Sequence, residues 1–573
     1  MQNIAFLLLR RLRSPLIVLI CVYAISMLGF VLIPGMDDEG QPWKMDFFHA
    51  FYFVSFMGST IGFGEIPYPF TDGQRMWATV TIYSSVVAWL YAIGSMLAIV
   101  QDPAFRTLHR QNGFRRSISR LSSPFYLICG YGETSSLLIR ALSEAGIRSV
   151  VIESNQERLN TLELEDYPIP VPGLCADVSL PEILILGGIQ HKNCVGCVAL
   201  TDQDPINLKV ALSSKLLNPS LKVIARAETE DAELNIASFG TDEIINPFAT
   251  FAGRLALALH SPSMFVLFEW MTGVPHEPLC KPLYPPHGTW ILCGYGRFGK
   301  AVHERLKAEG VSATIIEEKP EMTAAPQGTV VGRGTEASTL QEAGIEQAVG
   351  IVAGTDDDSN NLSIVMTARE LNPNLFMVAR KNSRANAAIF QAAQANLTMQ
   401  RGSVIAHKIF AVITTPLLAE FLRLAIQQNN AWAETLIKRV SAIADDEAPQ
   451  IWTVNINDED APAFNNAITN GSQPCIKELY IHPRYRDQSL PIFPLLLKRK
   501  NSETLLPDDD TLLEPDDQLL LCGQHDIRSQ MGWVLNNDEV FHYIHTGEEC
   551  AQGWLWQKFI DKKPCTKPAR KTV

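Results

Sequence analysis

The stretch Gly288-Thr-Trp-Ile-Leu-Cys-Gly-Tyr-Gly-Arg-Phe-Gly299 has the pattern of a short apolar strand, a glycine turn and the start of a helix. The first glycine of such a turn permits a tight bend, the second lets the backbone approach a pyrophosphate, and the third allows close helix–strand packing. A second apolar run ends in Glu317, which lies 317 − 294 = 23 residues after Gly294. A carboxylate at this spacing can hydrogen-bond ribose hydroxyl groups. The stretch therefore predicts a dinucleotide-binding βαβ unit.

The same pattern occurs earlier, so the α/β part of the chain is a tandem repeat. Pro124-Phe-Tyr-Leu-Ile-Cys-Gly-Tyr-Gly-Glu-Thr-Ser135 repeats the turn with Ser135 in place of the third glycine, and Glu153 follows Gly130 by 153 − 130 = 23 residues. Later, Thr201-Asp-Gln-Asp-Pro-Ile-Asn207 matches Thr355-Asp-Asp-Asp-Ser-Asn-Asn361. Both copies predict an α/β Rossmann-like domain, and their acids favour an adenosine ribose without a phosphate.

Two uncharged segments near the N-terminus are long enough to cross a bilayer. Residues 15–36 and 77–100 contain 22 and 24 residues without a charged side chain, and about 20 apolar residues suffice for a span. Three arginines lie between positions 10 and 13, five lie between 106 and 120, and acids dominate the loop between the segments. The positive-inside rule therefore predicts a multi-pass protein of the cell (inner) membrane with both termini in the cytoplasm.

The loop between the spans contains an apolar, aromatic segment followed by a glycine-rich turn. Residues 46–57 are too few to span a bilayer and suit a re-entrant helix. In the turn Thr60-Ile61-Gly62-Phe63-Gly64, rings of backbone carbonyl oxygens can replace the hydration shell of a K+ ion, and Gly62 and Gly64 adopt the required backbone angles at low cost. Glu65 would concentrate cations at the outer mouth. The segment predicts a selectivity filter.

Here the chain resembles the potassium channel family, whose filter pattern is Thr-Val-Gly-Tyr-Gly-Asp where this chain has Thr-Ile-Gly-Phe-Gly-Glu. The resemblance implies K+ as the permeant ion, four copies around one axis, and an inner pore lined by the second span. Relatives often have a glycine where this span has Ser84 and Ser85. Gly94 and Leu97 share one helix face and are the candidates for the inner gate, with close helix packing at Gly94 as the alternative.

The tandem repeat resembles RCK domains, the regulators of potassium conductance of the TrkA-N type. The resemblance implies that NAD, NADH or an adenine nucleotide binds as the gating ligand, and that a homotetramer arranges eight RCK domains in a gating ring. The implied nucleotide contacts of the first copy are Gly130, Gly132, Glu133, Thr134, Glu153, Ala176-Asp177, Thr201 and Asp202. Those of the second copy are Gly294, Gly296, Arg297, Phe298, Gly299, Glu317, Gly332-Arg333, Thr355, Asp356 and Arg380.

The predicted fold is multidomain, with an all-α two-helix transmembrane pore unit, two α/β Rossmann-like RCK domains and a small α+β C-terminal lobe. The expected boundaries are 1–104 for the pore domain with its pore helix and filter at 46–65, 105–122 for a linker to the gating ring, 123–285 for the first RCK domain, 286–445 for the second Rossmann lobe with its crossover helices, 446–545 for the C-terminal lobe, and 546–573 for a tail.

These features predict a ligand-gated K+-selective channel in contact with membrane lipid, and not an enzyme. A regulatory subunit of a potassium transporter would carry no filter, and a membrane-anchored nucleotide-dependent oxidoreductase would need a catalytic constellation that we do not find. The net charge of −13 argues against a nucleic-acid partner. The acidic runs 356–358 and 508–510 could bind Ca2+, although exposed acidic turns are commoner than calcium sites.

Overall fold

The chain divides into two compact units, Met1–Arg120 and Leu121–Val573. The computed structural model describes residues 4–62, 68–273, 282–443, 448–500, 502–524 and 527–548. Phe63 and Gly64 of the predicted filter, Glu65 of the predicted outer mouth, and most of the predicted tail lie outside the described residues.

The first unit consists of helices joined by one small hairpin. Its elements are α1 (Ile4–Leu32), β1 (Gly35–Met36), β2 (Pro42–Trp43), α2 (Phe47–Gly58), α3 (Asp72–Gln101) and α4 (Pro103–Ser119), and the two short strands pair in antiparallel fashion. Leu12–Leu32 and Asp72–Gln101 are long and apolar enough to cross a membrane. The predicted first span reached residue 36, but α1 ends at Leu32, where Pro34 and Gly35 follow and stop a helix.

Helix α2 is the predicted re-entrant helix, and it packs against both long helices. The Asp46 carboxylate accepts a hydrogen bond from the backbone N–H of His49 at 2.7 Å, which caps the N-terminus of α2. Phe53 and Val54 of α2 are buried together with Phe30 of α1. Helices α1 and α3 are joined by the Trp77 indole N–H, which donates to the Ser26 carbonyl oxygen at 3.0 Å. This packing fixes where the turn after α2 lies relative to α1 and α3.

Most of residues 105–122, the expected linker to the gating ring, are helical. Helix α4 begins at Pro103, whose fixed φ angle suits the first turn of a helix. A helix connects its two ends more rigidly than an extended linker would.

The second unit contains two similar Rossmann-like domains and a C-terminal lobe. The first domain comprises β3 (Phe125–Cys129), α5 (Glu133–Glu144), β4 (Arg148–Glu153), α6 (Gln156–Leu164), β5 (Gly173–Cys175), α7 (Pro181–Leu186), β6 (Cys194–Ala199), α8 (Asp204–Leu217), β7 (Lys222–Arg226), α9 (Glu230–Ala237), β8 (Glu243–Ile245), α10 (Pro247–His260) and α11 (Pro262–Thr272).

The second domain repeats this order, but the helix and the strand that follow its second strand are shorter than those of the first domain. It comprises β9 (Trp290–Cys293), α12 (Arg297–Ala308), β10 (Ala313–Glu317), α13 (Pro320–Thr323), β11 (Val330–Val331), α14 (Ala337–Glu342), β12 (Gly350–Ala353), α15 (Asp358–Leu371), β13 (Phe376–Lys381), a 3-10 turn (Arg384–Asn386), α16 (Ala387–Ala392), β14 (Leu397–Gln400), α17 (Arg401–Thr414), α18 (Pro416–Ala425) and α19 (Asn430–Ser441).

The two Rossmann sheets have the same parallel topology. Their strand orders are β5-β4-β3-β6-β7-β8 and β11-β10-β9-β12-β13-β14. In both, the order reverses beside the strand that precedes the glycine turn. Ligands of open α/β sheets bind outside the carboxyl ends of the strands at this switch point. The fold therefore gives each copy a crevice where a nucleotide can bind.

The two Rossmann domains exchange their crossover helices. Helix α10 of the first domain packs on α12 of the second, and α17 of the second packs on α5 of the first. Phe248 of α10 is 1% exposed in the core that contains Phe298. Ile405 and Ile409 of α17 are fully buried in the core of the first domain. Burying a large apolar side chain contributes about 1.5–3 kcal/mol, so each domain depends on its neighbour to complete its core.

The C-terminal lobe is a four-stranded antiparallel sheet with apolar residues on both faces. Its elements are β15 (Gln450–Asn455), α20 (Pro462–Thr469), a 3-10 turn (Ile476–Tyr480), β16 (Ile492–Arg499), β17 (Ser502–Leu505), β18 (Gln518–Gly523), α21 (Ile527–Asn536) and α22 (Asp538–Thr546), in the strand order β15-β18-β16-β17. One face packs on α20–α22, and the other packs on α11, α18 and α19. The structure thus confirms the predicted fold class, which comprises a two-helix pore unit, two Rossmann-like domains and a small C-terminal lobe.

Candidate functional site

The turn after α2 begins the predicted filter. The backbone N–H groups of Thr60 and Ile61 donate to the carbonyl oxygens of Met57 and Phe56, each at 3.1 Å, so the turn closes the C-terminal end of α2. Gly62 has a φ of 62°, and a Cβ there would meet no atom of the described chain within 4 Å. Thr60 also has a positive φ, 63°. From the sequence we expected such angles at Gly62 and Gly64, so the positive φ of Thr60 was not predicted. A positive φ is costly for a β-branched residue.

The two candidates for the inner gate lie on an accessible face of α3 within the first unit. Leu97 is 55% exposed. Gly94 has no neighbour within 4 Å of an added Cβ among the described atoms. Close packing of another helix of this unit against Gly94 is therefore not seen. The hydroxyl groups of Ser84 and Ser85 donate to the carbonyl oxygens of Val80 and Ile82, at 2.7 and 3.0 Å, within a continuous helix.

The glycine turn of the second copy has the geometry that its sequence predicts. Gly294 has a φ of 93°, and Gly296 leaves open space where a Cβ would stand. A Cβ on Gly299 would lie 2.0 Å from the Gly294 carbonyl oxygen, so only glycine allows α12 to approach the strand this closely. Helix α12 begins directly after Gly296 and offers its first N–H groups to an anion.

The first copy forms the same turn with serine in the third position. Gly130 has a φ of 98°, and an added Cβ would lie 3.0 Å from the backbone of Leu200. The Ser135 hydroxyl donates to the Gly130 carbonyl oxygen at 2.7 Å. In the second copy, the equivalent carbonyl oxygen of Gly294 lies against Gly299. The first copy therefore accepts a serine at the third position through this hydrogen bond, whereas the second copy has room only for a glycine there.

Both ribose-type acids hold the glycine turns in place. The Glu317 carboxylate accepts hydrogen bonds from the backbone N–H groups of Tyr295 at 2.6 Å and Lys319 at 3.1 Å. Glu153 accepts from Tyr131 at 2.6 Å and Asn155 at 2.7 Å. Glu153 is only 4% exposed, whereas Glu317 is half-buried. The second copy therefore presents the more accessible acid to a ligand.

The threonines that follow the fourth strands in the sequence support the fold. The Thr355 hydroxyl donates to the Asn361 side-chain oxygen at 2.7 Å, and Asn361 also donates to the carbonyl oxygens of Thr355 and Arg380. Thr201 and Asn207 repeat this arrangement in the first copy. Both asparagines are fully buried. The repeated threonine and asparagine thus join the crevice loop to the next strand, a structural role that the sequence pattern alone did not reveal.

The charged residues expected around the two crevices mostly form ion pairs. Asp202 pairs with Arg158 and Arg226, Asp356 pairs with Arg380 at 2.6 Å, and Arg333 pairs with Glu318 at 2.9 Å. Asp177, which follows Ala176, accepts from the backbone N–H of Ser179, and Gly332 has no room for a side chain beside Thr339.

The acidic runs considered for Ca2+ are used in local contacts. Asp358 accepts hydrogen bonds from Asn382, Ser383 and Asn386. Asp509 accepts a hydrogen bond from Tyr480, and Asp510 pairs with Lys477. Within the described ranges, no group of three His, Cys, Asp or Glu side chains is arranged to hold a metal ion.

The side chains of four expected nucleotide contacts lie at the interface between the two Rossmann domains. The Phe298 side chain is 1% exposed and packs on Phe251 with ring centres 5.5 Å apart, so it is not available to a nucleotide. Thr134 is also buried. Glu133 accepts a hydrogen bond from the Gln400 side chain of the second copy. Arg297 points toward the first copy.

The partner of Arg297 is Glu228, a buried acid that sequence reasoning missed. Glu228 is 6% exposed and pairs with three arginines, namely Arg226 of its own domain, and Arg297 at 2.5 Å and Arg401 at 2.7 Å from the second domain. Burial tends to raise the pKa of Glu228, but the three guanidinium groups outweigh it and lower that pKa below its ordinary value. This cluster links the glycine turn of the second copy to the sheet edge of the first.

Two family models match the chain in the regions described above. The TrkA-N domain matches residues 126–247 and 290–400, and the ion channel family matches residues 17–102. The chain therefore combines an ion channel domain with two TrkA-N domains in one polypeptide. The predicted filter lies within the ion channel match, and the two glycine turns lie within the TrkA-N matches.

Three relatives give the range of similarity. Potassium channel protein 1 of Methanocaldococcus jannaschii is 26% identical over 220 residues, which are 38% of this chain and 64% of that protein. An uncharacterized protein of Methanothermus fervidus is 33% identical over 245 residues, 42% of this chain and 37% of that protein. A Trk system potassium uptake protein TrkA homolog of Pyrococcus horikoshii is 27% identical over 136 residues, 22% and 60% of the two chains. The chain thus aligns with less than two thirds of the length of each of these proteins.

Solved structures with a similar course of the chain include the GsuK channel. The GsuK channel bound to NAD covers 93% of this chain and 99% of its own, at 16% identity and a TM-score of 0.47. GsuK bound to ADP covers 72% of this chain and 99% of its own, at 20% identity and a TM-score of 0.44.

Proposed function

We propose that the chain is the subunit of a K+-selective channel whose opening is controlled by a nucleotide bound to its RCK domains. The observation that carries this proposal is the pore unit, in which α2 packs between two membrane-length helices and ends in the Thr60–Gly62 turn. A regulatory subunit of a transporter would need no such turn. An oxidoreductase would need a hydride acceptor site, and the charged residues of the crevices form ion pairs instead.

The proposed assembly is a homotetramer in the cell membrane with eight RCK domains in one ring. Four filter turns around one axis are needed to enclose an ion, and two RCK domains in each of four chains make eight. Large apolar side chains on α1 and α3 remain exposed within the first unit, among them Ile20, Leu32, Val87 and Leu90. These faces suit lipid and neighbouring subunits, and both termini are placed in the cytoplasm by the flanking arginines.

The proposed ligand is NAD, NADH or an adenine nucleotide with a free ribose 2′-hydroxyl. Glu317 accepts two backbone N–H groups, and a carboxylate has further lone pairs that can accept from ribose hydroxyls. A 2′-phosphate there would meet the negative charge of Glu317. Because Glu317 is more accessible than Glu153, the second copy is the primary site.

The experiment is ion flux from liposomes that contain the full-length protein. K+ efflux is measured against Na+ efflux, with NAD, ADP and NADP added separately. We expect K+-selective flux that Gly62→Ala abolishes, because alanine at a φ of 62° is strained and its side chain would distort the carbonyl ring. We expect NAD or ADP, and not NADP, to change the flux.

The matched variants separate the pore from the ligand site. Glu317→Gln should weaken the NAD or ADP response and leave selectivity unchanged, whereas Glu304→Gln on the exposed side of α12 should alter neither. Absence of K+ flux from well-folded tetramers would count against the channel. Selective flux without any nucleotide response would retain the pore and remove the ligand role of the RCK domains.

A further inference from the structure

The end of the pore helix α2 packs on a tyrosine from α1. Gly58 is the last residue of α2 and is buried. A Cβ added to Gly58 would overlap the Tyr23 hydroxyl oxygen and stand 2.9 Å from the Cζ atom of the same ring. Because the φ of Gly58 is not positive, its backbone angles do not require glycine, and glycine destabilises a helix relative to alanine. The lack of a side chain at Gly58 therefore makes room for the Tyr23 hydroxyl group.

The filter turn begins directly after this contact. The Ser59 hydroxyl and the backbone N–H of Ile61 both donate to the Phe56 carbonyl oxygen, each at 3.1 Å. These bonds join the filter turn to the last turn of α2. Thr60 lies two residues beyond Gly58, so a displacement of Gly58 moves the Thr60 carbonyl group with it.

The Tyr23 ring is held from a second side by α3. The Trp89 indole N–H donates to the Tyr23 hydroxyl oxygen at 3.0 Å. The ring itself packs against the core of the first unit, which contains Phe30 and Phe53. Hydrogen bonds of this kind contribute to the association of helices in membranes. The Tyr23 hydroxyl group is thus placed by α3, and it in turn places the end of α2.

Trp89 also lies on the helix that carries the candidates for the inner gate. Gly94 and Leu97 follow it by 94 − 89 = 5 and 97 − 89 = 8 residues in the same continuous helix, which corresponds to roughly 8 and 12 Å along the helix axis. A shift of the C-terminal part of α3 is therefore carried to Trp89 over a short distance. Through Tyr23, that shift reaches the end of α2.

The side chains of the filter give it little polar anchoring of its own. Ile61 and Phe63 have no polar side-chain atom. Among the described residues, the hydrogen bonds that residues 59–62 donate all go to carbonyl oxygens of α2. Selection between K+ and Na+ depends on how the carbonyl oxygens of a filter are arranged. The position of α2 therefore bears directly on ion selection.

We propose that Tyr23 is a positioning residue for ion selection, whose hydroxyl group and Trp89 partner hold the end of α2 in place relative to α3. This inference rests on the proposed channel function and adds to it a residue outside both the filter and the gate. Tyr23 acts through Gly58 and the filter turn rather than on the ion itself. Because Trp89 belongs to the gate helix, the same contact transmits movement of α3 to the filter.

The test is the ratio of K+ to Na+ efflux from liposomes that contain the full-length protein. Tyr23→Phe and Trp89→Phe each remove the hydrogen bond, and each should lower the ratio about threefold, the factor that corresponds to an average hydrogen bond between membrane helices. The double variant should lower the ratio no further, because both substitutions remove the same interaction. The matched control is Tyr91→Phe, which should keep the ratio. Tyr91 is 47% exposed on α3, and its hydroxyl group has no hydrogen-bond partner in the described part of the chain.

A second pair of variants should change the ratio in opposite directions. Gly58→Ala should lower the ratio, because its Cβ overlaps the Tyr23 hydroxyl oxygen. Adding Tyr23→Phe to Gly58→Ala should raise the ratio again, because the hydroxyl group that the Cβ meets is gone and the phenyl ring can tilt away from the remaining contact at Cζ. A role of Tyr23 in stability alone would move the thermal unfolding midpoint and leave the ratio unchanged.

The outcomes separate this role from the channel function. K+ flux whose ratio is unchanged in Tyr23→Phe and Trp89→Phe overturns the positioning role and leaves the proposed channel intact. A ratio that falls further when Tyr23→Phe is added to Gly58→Ala also overturns it. If Gly58→Ala does not fold, the comparison of Tyr23→Phe with Tyr91→Phe decides alone. Absence of K+ flux from the unaltered protein overturns the proposed function and this role with it.

Discussion

Replacing Glu228 with glutamine removes the charge that holds the two Rossmann domains together at their interface. The variant keeps the size of the side chain but leaves Arg226, Arg297 and Arg401 facing a neutral amide. Breaking a buried ion pair by removing one partner costs about 3–5 kcal/mol. Arg297 and Arg401 are 49% and 35% exposed, so water can solvate them in the variant. Arg226 is 4% exposed but keeps Asp202. We therefore expect the lower end, about 3 kcal/mol.

The assay is hydrogen exchange of backbone amides in the full-length protein, which reports the free energy of local opening. A loss of about 3 kcal/mol corresponds to amides of β7 and the first turn of α12 exchanging on the order of one hundred times faster, since 1.4 kcal/mol is a factor of ten.

The matched control is Glu503→Gln. The Glu503 carboxylate pairs with the Arg423 guanidinium group at 2.5 Å, and the Arg423 side chain is 56% exposed. An exposed pair contributes about 1 kcal/mol or less, so this control should change exchange less than tenfold. Equal, small effects of both substitutions would refute the reasoning that the Glu228 cluster stabilises the interface.

Three further predictions follow from the same geometry. Lowering the pH should weaken the interface, because the folded pKa of Glu228 is below its ordinary 4.5. The stabilisation is complete above pH 4.5 and is lost as the pH falls through the folded pKa. Glu228→Gln should lack this dependence when hydrogen exchange is measured at pH 7 and pH 4. Gly299→Ala should cost about 1–3 kcal/mol and weaken nucleotide binding to the second copy in calorimetry, because its Cβ would lie 2.0 Å from a carbonyl oxygen, whereas Ser135→Gly should cost only about 1 kcal/mol. Asn361→Leu should lower the thermal unfolding midpoint of the protein, because it leaves buried groups of Thr355 and Arg380 unpaired at about 1–3 kcal/mol each, and an unchanged midpoint would contradict this role.

The sequence was most informative where one short segment must satisfy its own backbone requirements. The glycines at 130 and 294 have the positive φ angles that a tight turn needs. Gly299 meets the steric demand of close helix–strand packing, and the acids at 153 and 317 lie at the ends of their strands beside the turns. Each of these signals depends on residues close together along the chain, so periodicity and spacing are sufficient to predict them.

The sequence was less informative about the roles of polar residues in the crevices. The threonines at 201 and 355 match a family pattern for nucleotide contacts, yet their hydroxyl groups bond to buried asparagines. Arg297 and Phe298 follow the glycine turn, yet both side chains face the neighbouring domain. A side chain at a helix terminus can point to a ligand or to another helix, and only the packing of that second helix decides which.

By itself the sequence determined two membrane-length helices, a short pore helix and two Rossmann-like domains, because apolar length, glycine placement and strand spacing are local properties. Only the tertiary structure decided that the two domains exchange α10 and α17, and that Glu228 meets Arg297 and Arg401, which lie 69 and 173 residues away along the chain. It also decided that Tyr23 and Trp89, 66 residues apart along the chain, meet at the end of the pore helix. These features depend on which surfaces are buried against each other. Apolar burial is non-directional, so a single sequence segment does not specify which other surface it will pack against.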